Sequence, residues 1–317
     1  MSDILFTYEV IISLLVNGAI FTVLTIAFIN TIYILKNYRE GTATQIQYKL
    51  EKRSYLITTI VYLSLSVKIL LLPYFTVTID ELSNIISGAM CGAGVISANS
   101  YGKPLILLKI VLVIFMMLWL TLNRYDLQSK GFRYFKDKMR FFIAIYLFVS
   151  VEIVLEYLFF TNLSTQNPVS CCSTLYKSTQ YSNGVPFNIS TIKLVISFYI
   201  IYLLLMLSNY FQKKYIAVFF SFLYNYIGYL SIVYFFSGYI YQLPSHKCPY
   251  CLLQSDYYFI GYAIYSSMIV ATYYSLSLLF FFQIKDVFQK NMMWYSLATF
   301  FISYNFVYYL LINRTFL

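Results

Sequence analysis

Long apolar runs separated by short basic clusters set the pattern of this chain. The runs at 8–35, 55–77, 104–123, 141–162, 192–211, 216–241, 258–282 and 294–312 are the candidates. A helix rising about 1.5 Å per residue needs about 20 residues to cross a hydrocarbon core of about 30 Å. None of the runs alternates apolar and polar positions as a barrel strand does, and a helix satisfies its backbone hydrogen bonds within one segment. The pattern predicts an all-α polytopic transmembrane helix bundle of about eight spans, forming a single integral membrane domain over residues 1–317.

Composition agrees with lipid as the main solvent. Hydrophobic residues make up 60% of the 317 residues and charged residues 11%, and the mean hydropathy is +0.71. Polar side chains are too few to cover a water-soluble globule of this size. The net charge of +10 would suggest nucleic acid in a soluble protein; here it reports sidedness, and no nucleic-acid partner is expected. Fifteen basic residues fall in alternate connections: Lys36 to Arg53, Arg124 to Arg140, Lys213 with Lys214, and Lys285 with Lys290. The other connections and the tail hold only Lys103, Lys177, Lys247 and Arg314. The positive-inside rule makes the richer side cytoplasmic and turns both termini outward. Asp3 and Glu9 stand where a signal peptide carries basic residues, so the first span reads as retained.

This sidedness gathers the chemistry. The outer connections 80–103, 163–191 and 242–256 contain all five cysteines, Cys91, Cys171, Cys172, Cys248 and Cys251, together with the single histidine, His246. The sharpest motif is Ser245-His246-Lys247-Cys248-Pro249-Tyr250-Cys251, before the seventh span. Thiols two residues apart can close a small reducible disulfide, and a nearby cation or a helix N-terminus favours the thiolate. Lys247, His246 and the start of the seventh helix are expected to supply these. The same spacing serves metal coordination. Adjacent Cys171 and Cys172 can form a vicinal disulfide, pair elsewhere, or bind a thiophilic metal. Structural disulfides that staple exposed loops are the plain alternative.

The run Cys248-Pro249-Tyr250-Cys251-Leu252-Leu253-Gln254 resembles the CxxC segment of quinone-linked disulfide-forming membrane proteins, of which DsbB is the nearest comparison and vitamin K epoxide reductase a more distant one. The likeness spans about ten residues; Ser255 stands where the bacterial proteins often carry Arg, and eight spans exceed their number. It implies a thiol pair that takes electrons from an extracytoplasmic thioredoxin-like protein and passes them to quinone, in a bacterial inner membrane. Met90 to Gly94 and Ser170 to Ser173 also look like bacterial polytopic membrane proteins of no assigned function. The leading expectation is therefore a thiol/disulfide redox protein with Cys248, Cys251, Cys171, Cys172 and Cys91 as its reactive residues. The alternative is copper handling, with Cys91, Cys171, Cys172, His246, Cys248 and Cys251 as soft ligands and a periplasmic metal chaperone as partner. A third reading, a multi-pass sensory receptor, rests on Asn123-Arg124-Tyr125 and the outer N-terminus. It is weakened by the 33 residues between Cys91 and Arg124 and by the eighth span.

Four charges lie well inside the apolar spans, away from their ends, where each costs about 2.5–3.5 kcal/mol on insertion scales. Glu152 and Glu156 share a face of the fourth span at i, i+4; Lys68 and Lys109 lie in the second and third. Cross-helix pairing of the two carboxylates with the two amines is expected, leaving a polar seam. A proton path accompanying quinone reduction is the functional version of that seam. A lone histidine disfavours bis-histidine haem ligation and Ser-His-Asp catalysis, and no HExxH, phosphate-binding loop or dinucleotide fingerprint is present.

Overall fold

A computed structural model describes residues 3–38, 44–128, 134–165, 168–169, 189–243, 246–280 and 284–313. Helices are the regular structure of these residues, with no strand among them. The long helices are α1 (Tyr8–Asn37) and α2 (Gln45–Ser83), the short α3 (Gly92–Ser97), then α4 (Gly102–Gln128) and α5 (Phe135–Thr161). They are followed by α6 (Thr191–Tyr210), α7 (Lys214–Tyr241), α8 (Ile260–Phe280) and α9 (Ile284–Asn313). Seven of them, all but α3 and α9, are long and apolar enough to cross a membrane. The chain is thus an integral multi-pass membrane protein with lipid as its main environment. Each expected span has a helix over it. α2 begins ten residues before the apolar run does, because Lys49, Lys52 and Arg53 are good helix formers that stay exposed at its start.

The chain divides into two compact units. One comprises Met1–Leu82 and Ile96–Gln166; the other comprises Ser83–Val95 and Asn167–Leu317. In the first unit, Leu24, Ile57, Leu112, Trp119 and Phe142 are buried in one apolar cluster. Apolar contact alone gives little drive for helices to associate in lipid, so close packing and polar contacts must hold them. The expected charges supply such contacts. Lys68 Nζ lies 2.8 Å from Glu152 Oε2, Lys109 bonds Glu152 directly, and Lys109 Nζ lies 2.8 Å from Glu156 Oε2. α1 adds two residues that charge counting missed: Ser13 donates to Glu156 Oε1 at 2.8 Å, and Asn17 donates to the same oxygen at 3.1 Å. Lys68 donates to Asn17 Oδ1 at 2.8 Å, closing the network. Two ammonium and two carboxylate groups cancel, and four helices are pinned in register. An adjoining cavity of about 20 Å³, bordered by Asn17, Lys68, Lys109 and Glu152, has room for one water molecule.

The second unit holds its helices with uncharged groups. Asn291 donates to Asn209 at 2.8 Å, Ser275 donates to Asn291 at 2.9 Å, and Ser221 meets Ser275 at 2.5 Å. These residues join α6, α7, α8 and α9 through buried amides and hydroxyls. Near its end α7 contains a π-helical turn, Ile232–Phe236. One extra residue rotates the remainder of the helix by about 100°, since a turn takes about 3.6 residues. The turn thereby sets the face on which Tyr241 emerges.

Candidate functional site

The site is built at the end of α7 within the second unit. Gln242 adopts a left-handed conformation, φ 55°, and its N–H bonds Gly238 O, so the helix stops there. The chain then runs through His246 to Pro249 and makes two 3-10 turns, Cys251–Leu253 and Ser255–Tyr257. Tyr258 and Phe259, both at φ 54°, reverse it into α8. Non-glycine residues in this region store about 1–3 kcal/mol each, so the turn must be held by its surroundings. Tyr241 donates to Cys248 O at 2.5 Å and Tyr265 to Pro249 O at 2.7 Å. Two tyrosine hydroxyls, one from α7 and one from α8, therefore clamp the carbonyls of the Cys-Pro pair.

Two glycines allow the close approaches. A Cβ on Gly261 would stand 2.8 Å from the Leu252 carbonyl, so only glycine lets the first 3-10 turn lie on α8. A Cβ on Gly92 would run into the Tyr250 ring. Gly92 thus admits Tyr250 beside the segment 83–95, and the residue before Gly92 is Cys91.

The result is a cluster of three thiols. The sulfurs of Cys91, Cys248 and Cys251 lie within 4.8 Å of one another, and Cys91 Sγ is 3.4 Å from Cys248 Sγ. The three residues are 0%, 1% and 5% exposed, so the sulfurs are sealed from solvent. Of the residues singled out from sequence, these three come together. Cys171 and Cys172 lie outside the described residues. His246 is not a member of the cluster: its ring stands edge-on to Tyr241 at 4.5 Å, and its Nε2 is enclosed with no hydrogen-bond partner among the described residues. Lys247 holds its ammonium 5.5 Å from the Tyr234 ring centroid. Cys251 opens a 3-10 turn, nine residues before α8 begins, so the start of α8 is not the source of thiolate stabilisation that the sequence led us to expect.

Sequence reasoning missed the aromatic wall. Tyr241 packs on Tyr257 with ring centroids 4.4 Å apart, and Tyr250 is buried beside Gly92. Burial, and then the nearby Cys251 sulfur, push the Tyr257 hydroxyl above its ordinary pKa. The available signal was the density of tyrosine around the CxxC run: Tyr239, Tyr241, Tyr250, Tyr257 and Tyr258.

Sulfurs at this spacing can do two things. Metal–sulfur bonds of about 2.3 Å around a trigonal centre set the sulfurs about 4 Å apart, a spacing that falls between the 3.4 Å contact and the 4.8 Å limit of the cluster. A disulfide needs about 2.05 Å, which a small side-chain rotation from 3.4 Å allows. Fold and site together define a multi-pass helical membrane protein with a sequestered three-cysteine cluster. No protein-family model, curated protein or solved structure matches the chain. The likeness of residues 248–254 to quinone-linked disulfide-forming proteins therefore rests on that segment alone.

Proposed function

We propose that Cys91, Cys248 and Cys251 form a thiophilic-metal site, suited above all to Cu(I), in a membrane protein that handles the metal on the extracytoplasmic side. The observation that carries this reading is the convergence of three buried sulfurs from two distant segments within 4.8 Å. Thiolates select Cu(I), a low coordination number needs no fourth side chain, and a sealed aromatic wall keeps water and oxidants from the sulfurs. The reading includes eight spans with α9 as the last, both termini outside, and a bacterial inner membrane as the setting. The lysine and arginine asymmetry supports that sidedness. Thiols release protons when they ligate, so retention of the metal is expected to weaken on acidification.

The 3.4 Å contact between Cys91 and Cys248 supports a second reading, the thiol/disulfide one. In it two thiols lose two electrons and two protons, an S–S bond forms, and the acceptor is either a partner disulfide, which becomes two thiols, or a quinone, which becomes a quinol. Burial weighs against it, because an incoming thiolate has to reach a sulfur that is at most 5% exposed. The two readings separate on anaerobically purified protein. Copper analysis gives stoichiometric metal under the first, and alkylation mass shifts before and after reduction give a titratable disulfide under the second. Absence of both removes the two proposals together.

A further inference from the structure

The first unit contains a cavity of about 650 Å³ between α2 and α4, where α2 begins and α4 ends. That is the volume of a typical small-molecule site. Its walls combine three kinds of group. Glu51 on α2 and Arg124 on α4 bring opposite charges, and neither side chain has an ion pair among the described residues. Thr58 and Asn123 are buried polar residues on the inner wall. Tyr55, Tyr62 and Leu127 line the cavity and are also exposed, so in a membrane they open it sideways to lipid. Among the described residues that line the cavity, the one other charge is already matched: Lys138 Nζ bonds Asp126 at 2.6 Å and Asn123 Oδ1 at 3.1 Å.

We infer that this cavity binds a phospholipid with a zwitterionic phosphoethanolamine headgroup, entering from the bilayer between α2 and α4. Arg124 takes the phosphate through its planar fork of donors. Glu51 takes the ammonium, with the Tyr55 ring as an additional cation acceptor. The acyl chains follow Tyr62 and Leu127 toward the hydrocarbon. Depth fits this assignment, because Glu51 and Arg124 lie just beyond the ends of the apolar runs 55–77 and 104–123, at headgroup level. The charges also choose the headgroup: a purely anionic lipid would leave Glu51 unpaired and facing a like charge.

The test is thermal unfolding of delipidated protein in mild detergent, titrated with three probes: phosphatidylethanolamine, phosphatidylglycerol with the same chains, and soluble O-phosphoethanolamine. Phosphatidylethanolamine is expected to raise the midpoint saturably, phosphatidylglycerol less, and O-phosphoethanolamine not at all at equal concentration. Arg124→Gln and Glu51→Gln are each expected to weaken the phosphatidylethanolamine response about tenfold, the loss of about 1.4 kcal/mol. Both side chains are exposed, so the lipid-free midpoint stays unchanged and folding is not in question. Equal responses to the two lipids, or wild-type responses in both variants, would overturn the inference. A full response to O-phosphoethanolamine would also overturn it, by making the cavity a site for a soluble ligand.

Discussion

The two units each bury a cluster of chemically expensive side chains, and they treat them in opposite ways. In the first unit the Lys68, Lys109, Glu152 and Glu156 network is internally complete: positive and negative charges cancel, and Ser13 and Asn17 fill further hydrogen-bonding positions. In the second unit Cys91, Cys248 and Cys251 are equally buried, yet thiols are weak donors and weak acceptors that gain little from one another. A cluster that neutralises itself stabilises a fold, whereas the thiol cluster is held in place by surrounding tyrosines and glycines, which is the arrangement the proposed metal site needs. Buried polar groups in a membrane are therefore better judged by whether they satisfy one another than by their presence alone.

The sharpest way to break this contrast is to unbalance the first cluster. Glu152→Ala leaves two ammonium groups with one carboxylate, and removing one member of a buried pair costs about 3–5 kcal/mol. Unfolding in detergent is expected to show that loss. The pair of changes Glu152→Gln with Lys68→Met is expected to recover most of it, because the Lys109–Glu156 contact at 2.8 Å remains. Equal losses in the single and double variants would mean that the charges do not act as a neutral set.

Smaller effects belong to the second unit. Gly261→Ala places a Cβ against the Leu252 carbonyl, and overpacking of this kind costs about 1–3 kcal/mol. It is also expected to separate the thiols, read as faster alkylation of Cys251; unchanged alkylation would remove the role given to the glycine. Tyr241→Phe deletes the hydroxyl on Cys248 O, costs about 1 kcal/mol, and is expected to speed metal release several-fold. Wild-type release would show that the clamp does not hold the site. Cys248→Ser is expected to change stability by less than about 1 kcal/mol while abolishing metal retention. A loss as large as that of Glu152→Ala would instead make the thiol a structural residue.

How legible each cluster was in the sequence depends on the forces that build it. Charges within an apolar run must be matched, so the pairing of Lys68 and Lys109 with Glu152 and Glu156 could be read by counting, and the apolar runs gave the helices that carry them. Ser13 and Asn17 carry no charge and add little to hydropathy, although their i, i+4 spacing on α1 was a visible polar face. For the cysteines, sidedness gave a shared compartment but not proximity. Gly261 and the tyrosine clamps shape the Cys248–Cys251 turn through contacts local in the chain, and Gly92 against the distant Tyr250 brings Cys91 to it; neither kind of contact shows in hydropathy. The π-helical turn at Ile232–Phe236, which aims Tyr241, leaves no periodic signal, because its five residues Ile-Val-Tyr-Phe-Phe mark no polar face. Cys251 was expected near the N-terminal end of α8 because nothing in Cys251 to Tyr257 marks two 3-10 turns in place of the first turns of an α-helix.

The central claim is that three sulfurs make one metal site. The most direct test is copper content of protein purified anaerobically from copper-supplied cells, in a background with Cys171 and Cys172 changed to serine, with Cys91, Cys248 and Cys251 then replaced one at a time. A single Cu(I) ion per chain, lost in each of the three replacements, is the predicted result. Copper retained in Cys91→Ser, or no copper in the parent, would contradict it.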